Sequence, residues 1–238
     1  MPSYHDRSPV TKRERFAWCM YDFANSGYTT VILTAVFNAY FVGVVAAEEG
    51  DDQATLLWSL AMAAAAALVL ISAPVIGAIA DYSGTKKRFL FISTAGCVLF
   101  TALLSTIGPG DTYWAIVLVV LATFMFASGE NLIAAFLPEI SDAETMGRLS
   151  GYGWALGYLG GLFTLALCLG YVTYAEQQGY DATHYVQVST LIVAALFGLA
   201  ALPTLLWLRE RSSTQKTPIT TQIIIAGFMR IRTTLRDT

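Results

Sequence analysis

Charge is scarce in this chain: Asp, Glu, Lys and Arg make up 13% of its 238 residues, about half the share of an average soluble domain. Set beside 55% hydrophobic residues and a mean hydropathy of +0.57, that scarcity excludes both a water-soluble globule and a disordered chain. Cysteine is scarce as well, and Cys19, Cys97 and Cys168 lie too far apart for a disulfide scaffold. His5 and His184 are remote from each other and from the cysteines, so no metal site is expected, and no cofactor motif is present. Collagen-like glycine periodicity is missing. A net charge of −3 and a pI near 5.3 exclude a nucleic-acid partner.

What the chain does have is six apolar runs, each able to cross a hydrocarbon core of ~30 Å as a helix. They lie at about Trp18 to Val45, Leu56 to Ala80, Phe89 to Ile107, Tyr113 to Phe136, Leu149 to Tyr171 and Val186 to Leu208. Leu60 to Ile71 is apolar on every side, whereas a barrel strand alternates every second residue. The expected fold class is therefore an all-α polytopic membrane protein with six transmembrane helices. Residues 1–17 form a tail, 18–208 the bundle and 209–238 a basic linker. Pro74 and Pro203 fall inside two runs, where bends are expected.

All 14 basic residues fall on one side of the runs: before helix 1, at Lys86, Lys87 and Arg88, at Arg148, and after helix 6. The opposite loops carry Glu48, Glu49, Asp51, Asp52, Asp111, Glu176 and Asp181 and no Lys or Arg. The positive-inside rule then places both termini in the cytoplasm, and a bacterial plasma membrane is the expected location. Trp18, Trp58, Trp114 and Trp207 sit near run ends, as interfacial anchors do. Met1 to Arg15 lacks the pattern of a cleaved signal, so helix 1 is expected to direct its own insertion. Ile219 to Arg236 reads as a basic amphipathic helix on the inner leaflet, with an unstructured tail as the alternative.

Charges within the runs carry the functional information, because each is costly unless it meets water or a partner. Asp22 lies near the start of helix 1, followed by Asn25 and Tyr28; Glu130 lies in helix 4 beside Asn131. Counted at 1.5 Å per residue from Tyr113, Glu130 is roughly 25 Å from the acidic side. Helices 1 and 4 head the two triplets, the places where inverted-repeat architectures put interrupted, cavity-lining helices. Asp22, Asn25, Tyr28, Glu130 and Asn131 are thus the candidate substrate and proton-coupling residues. The plainer readings are a helix N-cap for Asp22, and for Glu130 a structural hydrogen bond or a pair with Arg148.

Gly153, Gly157 and Gly161 form a smooth stripe on helix 5 for close helix packing, with a hinge as the alternative. Trp154 reads equally as a cavity wall or a packed ring. An enzyme is not expected. Phe126-Ala127-Ser128-Gly129 lacks the first glycine of a serine-nucleophile motif, and both histidines lie outside the runs.

Between helices 2 and 3, Gly77, Asp81, Gly84 and Lys86 match a G-x-x-x-D-x-x-G-x-[RK] pattern, with departures at Tyr82 and Thr85. This resembles the loop signature of the major facilitator superfamily. The segment from Trp18 to Phe41 and the segment from Asn131 to Gly161, with A-F-L-P-E-I and G-R-L-S-G-Y-G-W-A-L-G-Y-L-G-G, are similar to bacterial relatives of the autophagy-related vacuolar amino-acid effluxers. The resemblance implies the N-terminal six-helix half of a twelve-helix fold, itself a 3+3 inverted repeat. It also implies secondary transport by alternating access of a small molecule, with amino acids and protons as candidate cargo. Gly77, Asp81, Gly84 and Lys86 would then govern conformational switching. Such a half is expected to work with a second six-helix half or as a homodimer, in contact with the lipid bilayer. A membrane interaction protein that does not itself transport is the alternative from another class.

Overall fold

A computed structural model describes residues 9–211, apart from the side chain of Asp81. The tail helix expected at Ile219 to Arg236 lies outside the described residues. Among these residues the chain is helical, without strands, and six helical segments are long and apolar enough to cross a membrane: Lys12–Val45, Asp51–Ala80, Lys86–Thr106, Thr112–Ile140, Met146–Gln177 and Ala182–Trp207. Each expected run falls on one of them.

The first helix, α1 (Lys12–Tyr28), starts six residues before Trp18 because a capping box forms within the polar segment. Thr11 Oγ1 accepts from the Glu14 amide at 3.3 Å, and the Glu14 carboxylate accepts from the Thr11 amide at 2.9 Å. Beyond Tyr28 the same span changes register into π-helix at Thr29–Ala35, resumes as α2 (Phe37–Tyr40), and ends in a second π segment at Phe41–Val45. The β-branched run Thr29, Thr30, Val31, Ile32 crowds an α-helical turn and favours the wider register. Two side chains five residues on take up carbonyls there: Thr34 donates to Thr29 O at 3.0 Å, and Asn38 to Leu33 O at 3.3 Å.

The second span is α3 (Asp51–Ser83), which continues past Pro74 and stops at Gly84. Gly84 takes the left-handed conformation, φ 60° and ψ 41°, that only glycine reaches at little cost in a helix cap. Then follow α4 (Lys86–Leu103), α5 (Thr112–Ala134), the one-turn α6 (Leu137–Ile140), α7 (Met146–Gln177) and α8 (Ala182–Trp207), which runs through Pro203. Helix 4 of the sequence reading is thus continuous to Ala134, and the interruption expected in both triplet leaders occurs in the first alone.

Packing crosses between the triplets. The first span lies against α7 and α8, while α5, the first of the second triplet, lies against α3 and α4. Contacts of α1 with α5 and of α4 with α8 join the two groups. This is the arrangement of one six-helix half of the major facilitator fold: each triplet leader is buried by the second and third spans of the other triplet.

The α1–α7 contact is made possible by glycine. A Cβ on Gly157 would stand 2.8 Å from Ser26 Oγ and 3.3 Å from Asp22 O, and one on Gly161 would stand 2.9 Å from Thr30 Oγ1. At Gly160, next in the stripe, a Cβ would run into the backbone of Phe23, with Cα at 2.7 Å. These helices therefore meet backbone to backbone, which any larger residue prevents.

Aromatic side chains fill the interior. Tyr28 stacks on Phe126 with ring centres 4.7 Å apart, and Trp58 lies 5.3 Å from Phe41. Two of the four expected interface anchors are in fact interior: Trp18 and Trp58 are 8% and 7% exposed. Trp18 finds inside the bundle the polar partner that an interface otherwise supplies, its Nε1 donating to Ile133 O at 2.9 Å. Trp114 and Trp207 are exposed, as anchors require. Trp154 is an exposed ring set edge-on to Tyr158. At the acidic end, Tyr40 and Gln187 both donate to Ile107 O at 3.1 Å, and the Gly110 amide donates to Val45 O at 2.9 Å.

Candidate functional site

Asp22 sits midway along α1, half-buried, with its carboxylate directly over Gly153 of α7: a Cβ there would stand 2.5 Å from Asp22 Oδ2. The N-cap reading of Asp22 gives way, because Thr11 caps the helix more than two turns earlier. Glu130, on an exposed face of α5, comes close enough to Asp22 for the two charges to act on each other. Among the described residues the ion pairs are Lys86 with Glu139 and Arg211 with Glu14, so Arg148 does not serve as the counter-ion of Glu130.

Asn25, one turn from Asp22, is 4% exposed, and neither its Oδ1 nor its Nδ2 has a hydrogen-bond partner among the described residues. Buried amides are rarely left in that condition outside sites that hold water or ligand. Tyr21 completes the group. Its hydroxyl hydrogen-bonds Thr94 at 2.9 Å, rests against Gly129, and feels the charge of Glu130. Sequence reasoning passed over Tyr21; the signal was its position beside Asp22 in an otherwise apolar helix.

The structure separates the remaining candidates from this group. Tyr28 is fully buried, bonded to Thr123 at 3.1 Å and stacked on Phe126, so it acts as packing between α1 and α5 and not as an open cavity wall. Asn131, one residue past Glu130 and therefore about 100° around the helix, faces a different cavity of about 120 Å³ that it shares with Gly77, Lys86 and Ser128. The close packing expected of Gly77 is not realised, since a Cβ there would meet nothing within 4 Å.

The loop between α3 and α4 is tied into a charged network at the basic end. Lys86 was expected on an anionic surface; instead it is buried, with Nζ 2.8 Å from Glu139 Oε1. The other oxygen of Glu139 accepts from the Arg211 amide at 2.8 Å, and the Arg211 guanidinium pairs with Glu14 at 2.8 Å. Glu210 receives the amides of Lys86 and Lys87 at 2.9 and 3.3 Å, an anion set on the positive N-terminus of α4. Lys87 Nζ donates to Leu208 O at 2.7 Å. One network thus joins the first, third, fourth and sixth spans. Of its acids, Glu14 was legible from the Thr-x-x-Glu spacing, whereas Glu139 and Glu210 carried no local signal. Nearby Asp142 accepts from the Thr145 hydroxyl at 2.6 Å and amide at 2.8 Å, and these bonds hold its carboxyl below the usual range.

Residues 51–238 match the family model described as "Vacuole effluxer Atg22 like". Over 231 residues, 95% of its length, the chain is 31% identical to the "Uncharacterized MFS-type transporter YxiO" of Bacillus subtilis (strain 168). That alignment takes in 53% of the Bacillus protein, so the chain spans about half the length of the curated relative it matches.

Proposed function

Because the chain belongs to the vacuole effluxer Atg22-like family of membrane transporters, we propose that it serves as one six-helix half of a secondary transporter for a small metabolite, with amino acids as the first class to test. In this reading a second six-helix half, on the same polypeptide, on a separate chain or in a second copy, supplies the opposing wall. Both termini face the cytoplasm. The observation that carries the reading is the group formed by Asp22, Glu130 and the unpartnered Asn25, beside the helix whose register changes at Thr29.

Two carboxylates that act on each other without a counter-cation repel, and a shared proton or the ammonium group of a substrate relieves that repulsion. Asn25 offers the same ligand a donor and an acceptor. Occupancy therefore alters the force between α1 and α5, and a ligand that binds one arrangement better shifts the population toward it. Gly77, Asp81, Gly84 and Lys86 act on the conformational step: the Lys86–Glu139 pair belongs to the network that holds the basic end closed, and opening that end breaks it.

Uptake of labelled amino acids into proteoliposomes under an imposed pH gradient tests the proposal, using the chain alone and together with a second half. Glu130→Gln is expected to abolish proton-linked flux while the protein remains inserted. Unchanged flux with unchanged pH dependence removes the role assigned to Glu130. A wild-type chain that moves nothing even with a second half present, yet still binds that half, favours an interaction protein.

A further inference from the structure

A groove of about 530 Å³ lies between the basic ends of α1 and α7. Lys12 and Arg15 stand on its α1 wall and Arg148 on its α7 wall, while Phe16, Leu156 and Leu159 line the rest. Its chemistry is graded along its length. The three cations stand at the end of the bundle, and the α7 wall runs from Arg148 to Leu159, which is roughly 16 Å of helix toward the midplane. No carboxylate lines the groove, and none of the three cations takes part in an ion pair among the described residues. Asp22, Asn25 and Glu130 lie outside it.

A cavity with three positive charges at its mouth and hydrocarbon along its wall complements an amphiphile with an anionic head. We infer that the groove binds one anionic phospholipid of the leaflet at the basic end. Its phosphate is held by Lys12, Arg15 and Arg148, and one acyl chain lies along Phe16, Leu156 and Leu159. The segment 212–238 of the chain is a poor occupant on charge, because it carries Lys216, Arg230, Arg232 and Arg236 against the single Asp237. The site owes nothing to the transport reading; it needs only the bundle and its membrane.

Native mass spectrometry of the full chain in mild detergent, titrated with phosphatidylglycerol or with phosphatidylcholine, reads the site directly. One phosphatidylglycerol should be retained in preference to phosphatidylcholine. Removing one charge with Arg148→Gln should weaken it about five-fold, and Arg15→Gln with Arg148→Gln on the order of 30-fold. Arg148→Lys should keep the lipid, and so should Arg13→Gln, which removes an exposed cation outside the groove. Leu156→Trp fills the apolar wall and should expel the lipid with every charge in place. Melting of each variant is recorded alongside; Arg148 and Arg13 are both exposed, so the decisive comparison does not depend on a core change. Equal retention of the two lipids, equal weakening by Arg13→Gln and Arg148→Gln, displacement by inorganic phosphate alone, or a dimer mass without bound lipid would each overturn the inference.

Discussion

Replacing Gly160 by alanine tests the central contact of the fold. A Cβ at that position meets the Phe23 carbonyl oxygen and stands 2.7 Å from Phe23 Cα, and both are backbone atoms of α1 that no rotamer change can remove. The helices must separate or slide by several tenths of an ångström along a contact that also carries Gly153, Gly157 and Gly161. Overpacking of this kind costs about 1–3 kcal/mol. For a chain of this size that is a fall in melting temperature of roughly 2–12 °C. The matched control is Gly170→Ala on the same helix, where a Cβ meets nothing within 4 Å. Alanine there removes a glycine from a helix interior, so stability is expected to hold or rise by up to about 1 kcal/mol. Thermal unfolding of both variants in one detergent, followed by tryptophan fluorescence, provides the comparison. If Gly160→Ala melts with or above Gly170→Ala, backbone contact between α1 and α7 is not what holds the first span, and the reasoning fails.

Glu14 has two duties, and substitutions separate them. Glu14→Gln keeps an acceptor for the Thr11 amide but removes the charge facing Arg211, whereas Glu14→Ala removes both, so the alanine variant should be the less stable by about 1 kcal/mol on thermal melting. Tyr28→Phe should cost about 1 kcal/mol through the lost bond to Thr123 while keeping the stack on Phe126. Tyr28→Ala should cost about 3–5 kcal/mol in the same melt, and a transport defect in Tyr28→Phe without loss of stability would return Tyr28 to the substrate path.

The fold was largely legible because its cause is the solvent. In a bilayer every backbone group must be satisfied within its own helix, so six apolar runs such as Leu60 to Ile71 suffice to count the spans. Local chemistry also marked Gly84 as a cap and Thr11 with Glu14 as a helix start. The site was half legible. Asp22 and Glu130 stand out as charges in apolar surroundings, and the structure does bring them near each other. The same rule misled at Tyr28 and Asn131, because neighbours at i+3 or i+1 in sequence point to different faces once the neighbouring helices are in place.

By itself, then, the sequence determined the number of spans, the segregation of 14 basic residues to one end, and the small-residue stripe on α7, since each depends on composition and spacing within single helices. Only the tertiary structure decided which helices meet. It carried Trp18 and Trp58 inward from run ends, set Lys86 on Glu139 across 53 residues, and placed Glu210 at the start of α4 across 124 residues. Such pairings have no local signature. They arise when each triplet leader is buried by the other triplet, and buried charges at the basic end must then find partners from whichever span has been brought alongside.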